Sequence, residues 1–422
     1  MASLFAREPS WISVAVAQTT LVVWLAALAG GDFGKADPGT HPILVRAASR
    51  DGAAVAGLFG FVVPVVFGMF PRLAPGLLGL PRLGRLSTRL PPTVGAVLSA
   101  CALLWLLTGE AALLPALPLL ALAGAFALIS AMAGARRLRA NGLPTVGPAV
   151  QLPARLLLAA ALVHLAAGSA LLFAVAASPD GFTGLRPTTL SLWPLHLLTA
   201  GFVVLTVFGV GVRMFASFSG VEPPAAAVWI MLVCGALAPT GLALSLERFS
   251  LTWIALFGTI AAAAAVTFAA LVLFMWVRHR RRRRKAWYLI IAAALTLVAG
   301  ESLAVAFALD PRGWALAPVH GEINTVGFAG LMIFGVLFEL SAGRAARPDV
   351  LSPGHAIAFA WPAGLAMRAL GYFFLAPALA GVGDLLILGA LVLAARDAHP
   401  RGPRPLEALR PAGGESKDQP AE

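Results

Sequence analysis

Charge is the scarcest commodity in this sequence. Asp, Glu, Lys and Arg make up 12% of 422 residues against 59% apolar residues, and the mean hydropathy is +0.87. That balance excludes a water-soluble domain, in which roughly a quarter of residues are charged. Cysteine is nearly missing too. Cys101 and Cys234 stand far apart with no Cys-x-x-Cys spacing, which argues against a disulfide or zinc pair and leaves them as small apolar core residues. A cleavable leader is also not expected: Met1 to Ser10 is charged, no small-residue cleavage pattern follows, and the first apolar run is long enough to stay in a membrane.

Long apolar runs are abundant. About 20 such residues cross a bilayer as a helix, and twelve segments qualify, at approximately 11–31, 52–71, 91–108, 111–134, 154–177, 190–212, 224–246, 251–277, 286–308, 315–341, 354–375 and 377–395. The expected fold class is therefore all-α: a single polytopic transmembrane domain over 1–400, with a disordered cytoplasmic tail at 401–422 that is rich in Pro, Gly and charge. The net charge of +12 is concentrated in alternate loops, in "PRLGRLSTR" from Pro81, "ARRLR" from Ala135, "RHRRRRRK" from Arg278, "GRAAR" from Gly343 and the tail after Arg396. The intervening loops carry Glu110, Asp180, Glu247, Arg248, Asp310 and Arg312, nearly balanced in sign. The positive-inside rule then puts both termini in the cytoplasm. Topology and anionic lipid account for the basic runs, so membrane lipid is an expected partner and nucleic acid is not.

Three stretches repeat one pattern: "GFVVPVVFG" from Gly60, "GFVVLTVFG" from Gly201 and "GFAGLMIFG" from Gly327. They fall on expected helices two, six and ten, which divides the chain into three four-helix blocks at about 1–140, 150–280 and 286–396. About two helical turns separate the recurring positions, so each Phe pair forms a stripe beside a Gly track that admits a neighbouring helix or a flat ligand.

Ionisable residues inside spanning helices are costly and point to function. His164, His196, Glu301, His320, Glu322, Arg368 and Asp384 make up that inventory. His196 and His320 lie early in helices six and ten, at similar depth, and imidazole is a favoured axial ligand for haem iron. These two are the candidate metal ligands. Thr199, three residues after His196, and Asn324, four after His320, are placed to orient a ligand, and His164 is a third cofactor candidate. His196 precedes its Gly-Phe by five residues and His320 by seven, a difference of about 200° around a helix. His41, His279, His355 and His399 fall in loops or near the inner face. Pro64 and Pro239 are expected to interrupt helices two and seven.

The stretch "LHLLTAGFVVLTVFGVGVRMFASFSG", Leu195 to Gly220, resembles a helix of the NnrS-like membrane proteins that reads His-x-Leu-Thr-x-Gly, then Arg, then a Gly-His-Thr-Gly turn. His196, Leu198, Thr199, Gly201 and Arg213 keep that register, while Phe218 stands at the turn's His and Ser219-Gly220 at its Thr-Gly. The family's other motif, His-x-His-Glu-x-Leu-Phe-Gly-Phe, is matched by Leu58, Phe59, Gly60 and Phe61, with Ala53 and Val55 at its histidines. More distantly, twelve helices in three blocks are similar to subunit I of haem-copper oxidases, and "VHGEINTVGFAG" from Val319 resembles that superfamily's His-x-His helix ten, with His320 kept and Glu322 at the second histidine. The resemblance implies a haem and copper protein of the bacterial inner membrane concerned with nitric oxide or another diatomic gas, with an electron-transfer partner. Because the histidines of helices two and seven are missing, it implies a reduced site: one haem b between His320 and His196, with copper less favoured and no full binuclear centre. Two other classes fit the same inventory, a secondary transporter using Glu301, Arg368 and Asp384, and a non-catalytic membrane subunit.

Overall fold

A computed structural model describes residues 9–33, 52–78, 83–136, 147–177, 192–278, 286–310, 317–342, 353–374 and 376–398. The tail 401–422, most of the basic loops, and His41, His279 and His399 lie outside them. Among the described residues all regular structure is helical. In chain order the helices are α1 (Pro9–Phe33), α2 (53–78), α3 (Arg85–Thr108), α4 (Leu113–Arg136), α5 (Pro148–Ala177), α6 (192–219), α7 (Ala225–Glu247), α8 (Leu251–Arg278), α9 (Ala286–Leu309), α10 (317–342), α11 (Pro353–Phe373) and α12 (Pro377–Ala398). Among the described residues each expected segment corresponds to a helix, and ten of these helices are long and apolar enough to cross a membrane. α11 is not among those ten, and α12 supplies a shorter apolar stretch, Pro377–Leu393; these two helices carry the buried charges Arg368 and Asp384. The chain is an all-α, multi-pass membrane protein by length and composition.

Among the described residues nine helices form a closed outer ring. Going round it, α1 packs on α3, then α4, α5, α7, α8, α9, α11 and α12, which returns to α1. The remaining three, α2, α6 and α10, stand inside. Their apolar windows are 83%, 67% and 56% buried against at most 50% for the other candidate spans, and among the described side chains none of the exposed large apolar ones belongs to them. Those exposed side chains, such as Val163, Val233, Trp253, Val266 and Phe359, belong instead to the ring, where lipid tails replace water as the apolar partner.

The three inner helices share an irregularity. Each contains a π-helical stretch, Ala53–Val62 in α2, Leu197–Val204 in α6 and Ile323–Gly330 in α10. Each takes in the Gly-Phe pair and ends two or three residues after its glycine. The stretch in α10 touches the stretches in α2 and α6. π-helix is rare, usually a single-turn bulge, and frequent at functional sites.

The Gly track resolves into helix packing. A Cβ added at Gly60, Gly201 or Gly327 would come within 2.6, 2.6 and 2.5 Å of Thr20 in α1, His164 in α5 and Thr296 in α9. At the second glycine of each motif the neighbours are Val14 and Ser13 for Gly68, Leu158 for Gly209 and Ile290 for Gly335. Thr20 and Val14, His164 and Leu158, and Thr296 and Ile290 are each six residues apart, so the three helix pairs cross in one register. The motif phenylalanines fill the centre: Phe61 stacks on Phe334 at 6.4 Å, Phe208 meets Phe268 at 4.7 Å, and Phe268 meets the edge of Phe328 at 6.4 Å.

The prolines do not interrupt their helices as expected. Pro64 follows the π stretch of α2 and Pro239 sits inside an unbroken α7. Pro64 has no N–H to offer the Gly60 carbonyl in the α register; the Ser99 hydroxyl of α3 donates to that oxygen at 2.5 Å instead. Gly220, from the turn that ends α6, has φ +68°, the left-handed helix-stop conformation that glycine adopts without strain, and its N–H donates to Ala216 O at 2.9 Å.

Candidate functional site

The intramembrane polar residues gather toward the end of the bundle where α6 and α10 begin and α9 and α11 finish. Two groups form there.

In the first group, His320 of α10 is tied to α9. Its Nδ1 lies 2.9 Å from the carbonyl oxygen of Gly300, so Nδ1 is the protonated nitrogen and Nε2 carries the lone pair. A backbone carbonyl on one ring nitrogen is the arrangement that fixes the tautomer and orientation of a metal-ligating imidazole. Phe307 meets the ring edge-on, 6.0 Å between centroids, which limits its rotation. The Asn324 amide nitrogen is 3.4 Å from both ring nitrogens, and Asn324 Oδ1 is buried with no hydrogen-bond partner among the described residues. His196 stands at the head of α6, directly before the π stretch that touches the π stretch of α10.

The other candidates are placed differently. His164 has both ring nitrogens engaged, Nδ1 with Ala160 O at 2.8 Å and Nε2 with the Thr240 hydroxyl of α7 at 3.3 Å. Its seat against Gly201 is the one Thr20 and Thr296 take against Gly60 and Gly327, and all three bond the carbonyl four residues back. That is interhelical packing in a polar form. Thr199 donates to Leu195 O at 2.9 Å, and Thr325 to Gly321 O at 2.8 Å. Each stands two residues before its motif glycine, a match between α6 and α10 that sequence reasoning missed although the spacing shows it. Of His355 only its place in the first turn of α11 is described.

In the second group, Arg368 of α11 forms ion pairs with Glu322 of α10 and Asp384 of α12. A further bond joins it to Glu322 Oε1 at 3.0 Å, and another to the Tyr372 hydroxyl at 3.0 Å. The three charged residues are 2%, 5% and 0% exposed. A narrow crevice of about 10 Å³ beside them is walled by Trp24, Leu28, Val326 and Ile387. Glu322, which stands at a histidine position of the haem-copper pattern, is thereby committed to a guanidinium.

Among the described residues no three His, Cys, Asp or Glu side chains stand together as a metal-ion site. The chain matches no family model and no curated protein.

Proposed function

We propose that this chain is a haem-binding integral membrane protein of the NnrS and haem-copper-oxidase-like type. In this reading it is built from three four-helix units, lies in the bacterial inner membrane with both termini cytoplasmic, and handles electrons or a diatomic gas through a reduced site. The observation that carries the reading is the Nδ1 bond of His320 to the Gly300 carbonyl, on a helix whose π stretch touches that of the helix headed by His196. The donor set fits haem b better than copper: two imidazoles satisfy axial ligation, whereas a stable protein copper site generally wants a third donor. His320 and His196 would hold the group, with the Gly300 carbonyl orienting the first and Asn324 offering a polar contact beside it. A haem there supplies one-electron chemistry and, with an open axial position, gas binding. The shared register of the pairs α1 and α2, α5 and α6, and α9 and α10 supports the three-unit organisation.

The experiment is a haem titration of detergent-purified protein followed at the Soret band. Saturable 1:1 uptake is expected; a linear rise identical to buffer rejects the reading.

One observation favours a second reading. Arg368 bridging two buried carboxylates across α10, α11 and α12 is the kind of intramembrane charge that marks a proton or substrate path in transporters. In that case the protein is folded and colourless, and Arg368→Gln abolishes solute uptake into proteoliposomes.

A further inference from the structure

Glu301 of α9 is 7% exposed and has no hydrogen-bond or ion-pair partner among the described residues. It lines a narrow crevice between α6, α7, α8 and α9 whose other walls are apolar, among them Val204, Ala238, Ala261, Ala264 and Leu297. The crevice has a volume of about 20 Å³. About 10–15 Å³ suffices for one water, so a single water-sized occupant fits and an organic ligand does not.

Nothing charged in the surrounding helices is spent on this carboxyl. In α10, His320 is bonded to the Gly300 carbonyl and Glu322 to Arg368 of α11, which also holds Tyr372. Glu339 in α10 and Tyr288 in α9 stand toward the opposite end of the bundle. Arg278 closes α8, and Glu247 and Asp310 lie exposed at the ends of α7 and α9. His196 and Arg213 of α6 and Cys234 of α7 do not line the crevice. A bare carboxylate among alanines inside a bilayer is strongly disfavoured, so what neutralises it comes from outside the chain. The space beside it limits that partner to one small cation.

A second oxygen is at hand. Pro239 has no N–H to offer the carbonyl of Gly235, four residues back, and both residues line the crevice. In α2 the corresponding oxygen, that of Gly60, receives the Ser99 hydroxyl; among the described residues no side chain donates to Gly235. Carbonyls released from a helix are oxygen donors of the kind that hold coupling cations inside membrane bundles.

We infer that Glu301 and the Gly235 carbonyl form a binding site for one small monovalent cation, a proton or sodium, in this crevice. As a proton site, the carboxylate takes one proton from hydronium, which leaves a neutral carboxylic acid and one water. The acid donates to the water, and the water donates to the Gly235 carbonyl. As a sodium site, the ion replaces that water between the same oxygens. Either occupant removes the net charge from the apolar walls. Glu301 is next to Gly300, the partner of His320, but its occupancy needs no haem, so this inference and the haem reading fail separately.

The test is infrared spectroscopy of the full-length protein, without added haem, in lipid nanodiscs perfused with buffers of changing pH. A carboxylic-acid C=O band is expected in acid buffer. It shifts in D2O, because water reaches the crevice, and fades reversibly as the buffer is made alkaline. Glu301→Gln is expected to lose the band, and Ala264→Val, which fills the crevice, to lose the rapid D2O shift. Thermal melts check that both variants fold; if Glu301→Gln does not, a wild-type response in Ala264→Val overturns the inference. At fixed pH, replacing choline by sodium assigns the occupant: loss of the band marks a sodium site, and no change marks a proton site. Spectra in which no acid band depends on Glu301, or a Glu301 band that neither pH nor sodium moves, overturn the inference.

Discussion

The Gly300 carbonyl oxygen and His320 Nδ1 are 2.9 Å apart, across the contact between α9 and α10. That bond holds an imidazole at the head of an inner helix with its second nitrogen turned away from the tie. A side chain at Gly300 would drive into the Asn324 amide. Gly300→Ala is therefore expected to lower stability by about 1–3 kcal/mol, the usual cost of overpacking, and to weaken haem uptake with it. Thermal melts and Soret titration read the two effects; wild-type behaviour in both would show that the Gly300 contact does not position the histidine.

His164 and Gly201 form a lock that can be opened from either side. Gly201→Ala places a methyl 2.6 Å from the His164 ring, and a loss of about 1–3 kcal/mol is expected. His164→Thr installs the side chain found at the corresponding seats in α1 and α9 and is expected to fold. The double variant should recover much of the loss, with a coupling of about 0.5–3 kcal/mol in a double-mutant cycle. Additive effects would mean that the three seats are not equivalent.

Arg368 serves two carboxylates, so its loss leaves more behind than theirs. Arg368→Met is expected to cost about 3–5 kcal/mol, the penalty of leaving a buried charge without its counter-ion. Glu322→Gln or Asp384→Asn alone should cost less, and the triple variant should regain stability relative to Arg368→Met. Melting temperatures of the four proteins check the order. A triple variant no more stable than Arg368→Met would indicate that the ion pairs contribute through shape instead of charge.

Arg213 presents the opposite case. Its guanidinium is 1% exposed, and Nε and Nη2 have no hydrogen-bond partner among the described residues. Arg213→Met keeps the packing volume and removes a buried charge, so stability should be unchanged or raised by about 1–4 kcal/mol. A clear loss on thermal melting would mean that the cation is satisfied by a bound anion.

Much of this fold is legible in the sequence because lipid imposes a simple code. Apolar length marks helices, and the twelve expected segments coincide with α1 to α12 within a few residues at most ends. α2, α3, α5 and α6 each run six or seven residues beyond one expected end. The three Gly-Phe stretches fall on the helices that turn out to be inner, a placement the sequence reading did not foresee, and their glycines are small because neighbouring helices approach closely there. The π stretches are not legible: no residue type specifies an i to i+5 register, which emerges from contacts among α2, α6 and α10. The joining of Glu322, Arg368 and Asp384 is hidden for a related reason, because three ions on three helices become neighbours only through the closure of the ring. His164 looks like a ligand in the sequence because it is ionisable and deeply placed, and the structure gives it a threonine's seat.

The most direct measurement is the visible spectrum of the full-length protein purified in detergent from cells supplied with haem. A Soret band is expected in the wild type, lost in His320→Ala and in His196→Ala, and retained in His164→Thr. A folded, colourless wild type with no iron or copper by elemental analysis, or a band indifferent to both histidines, would contradict the assignment of His196 and His320 as the cofactor site.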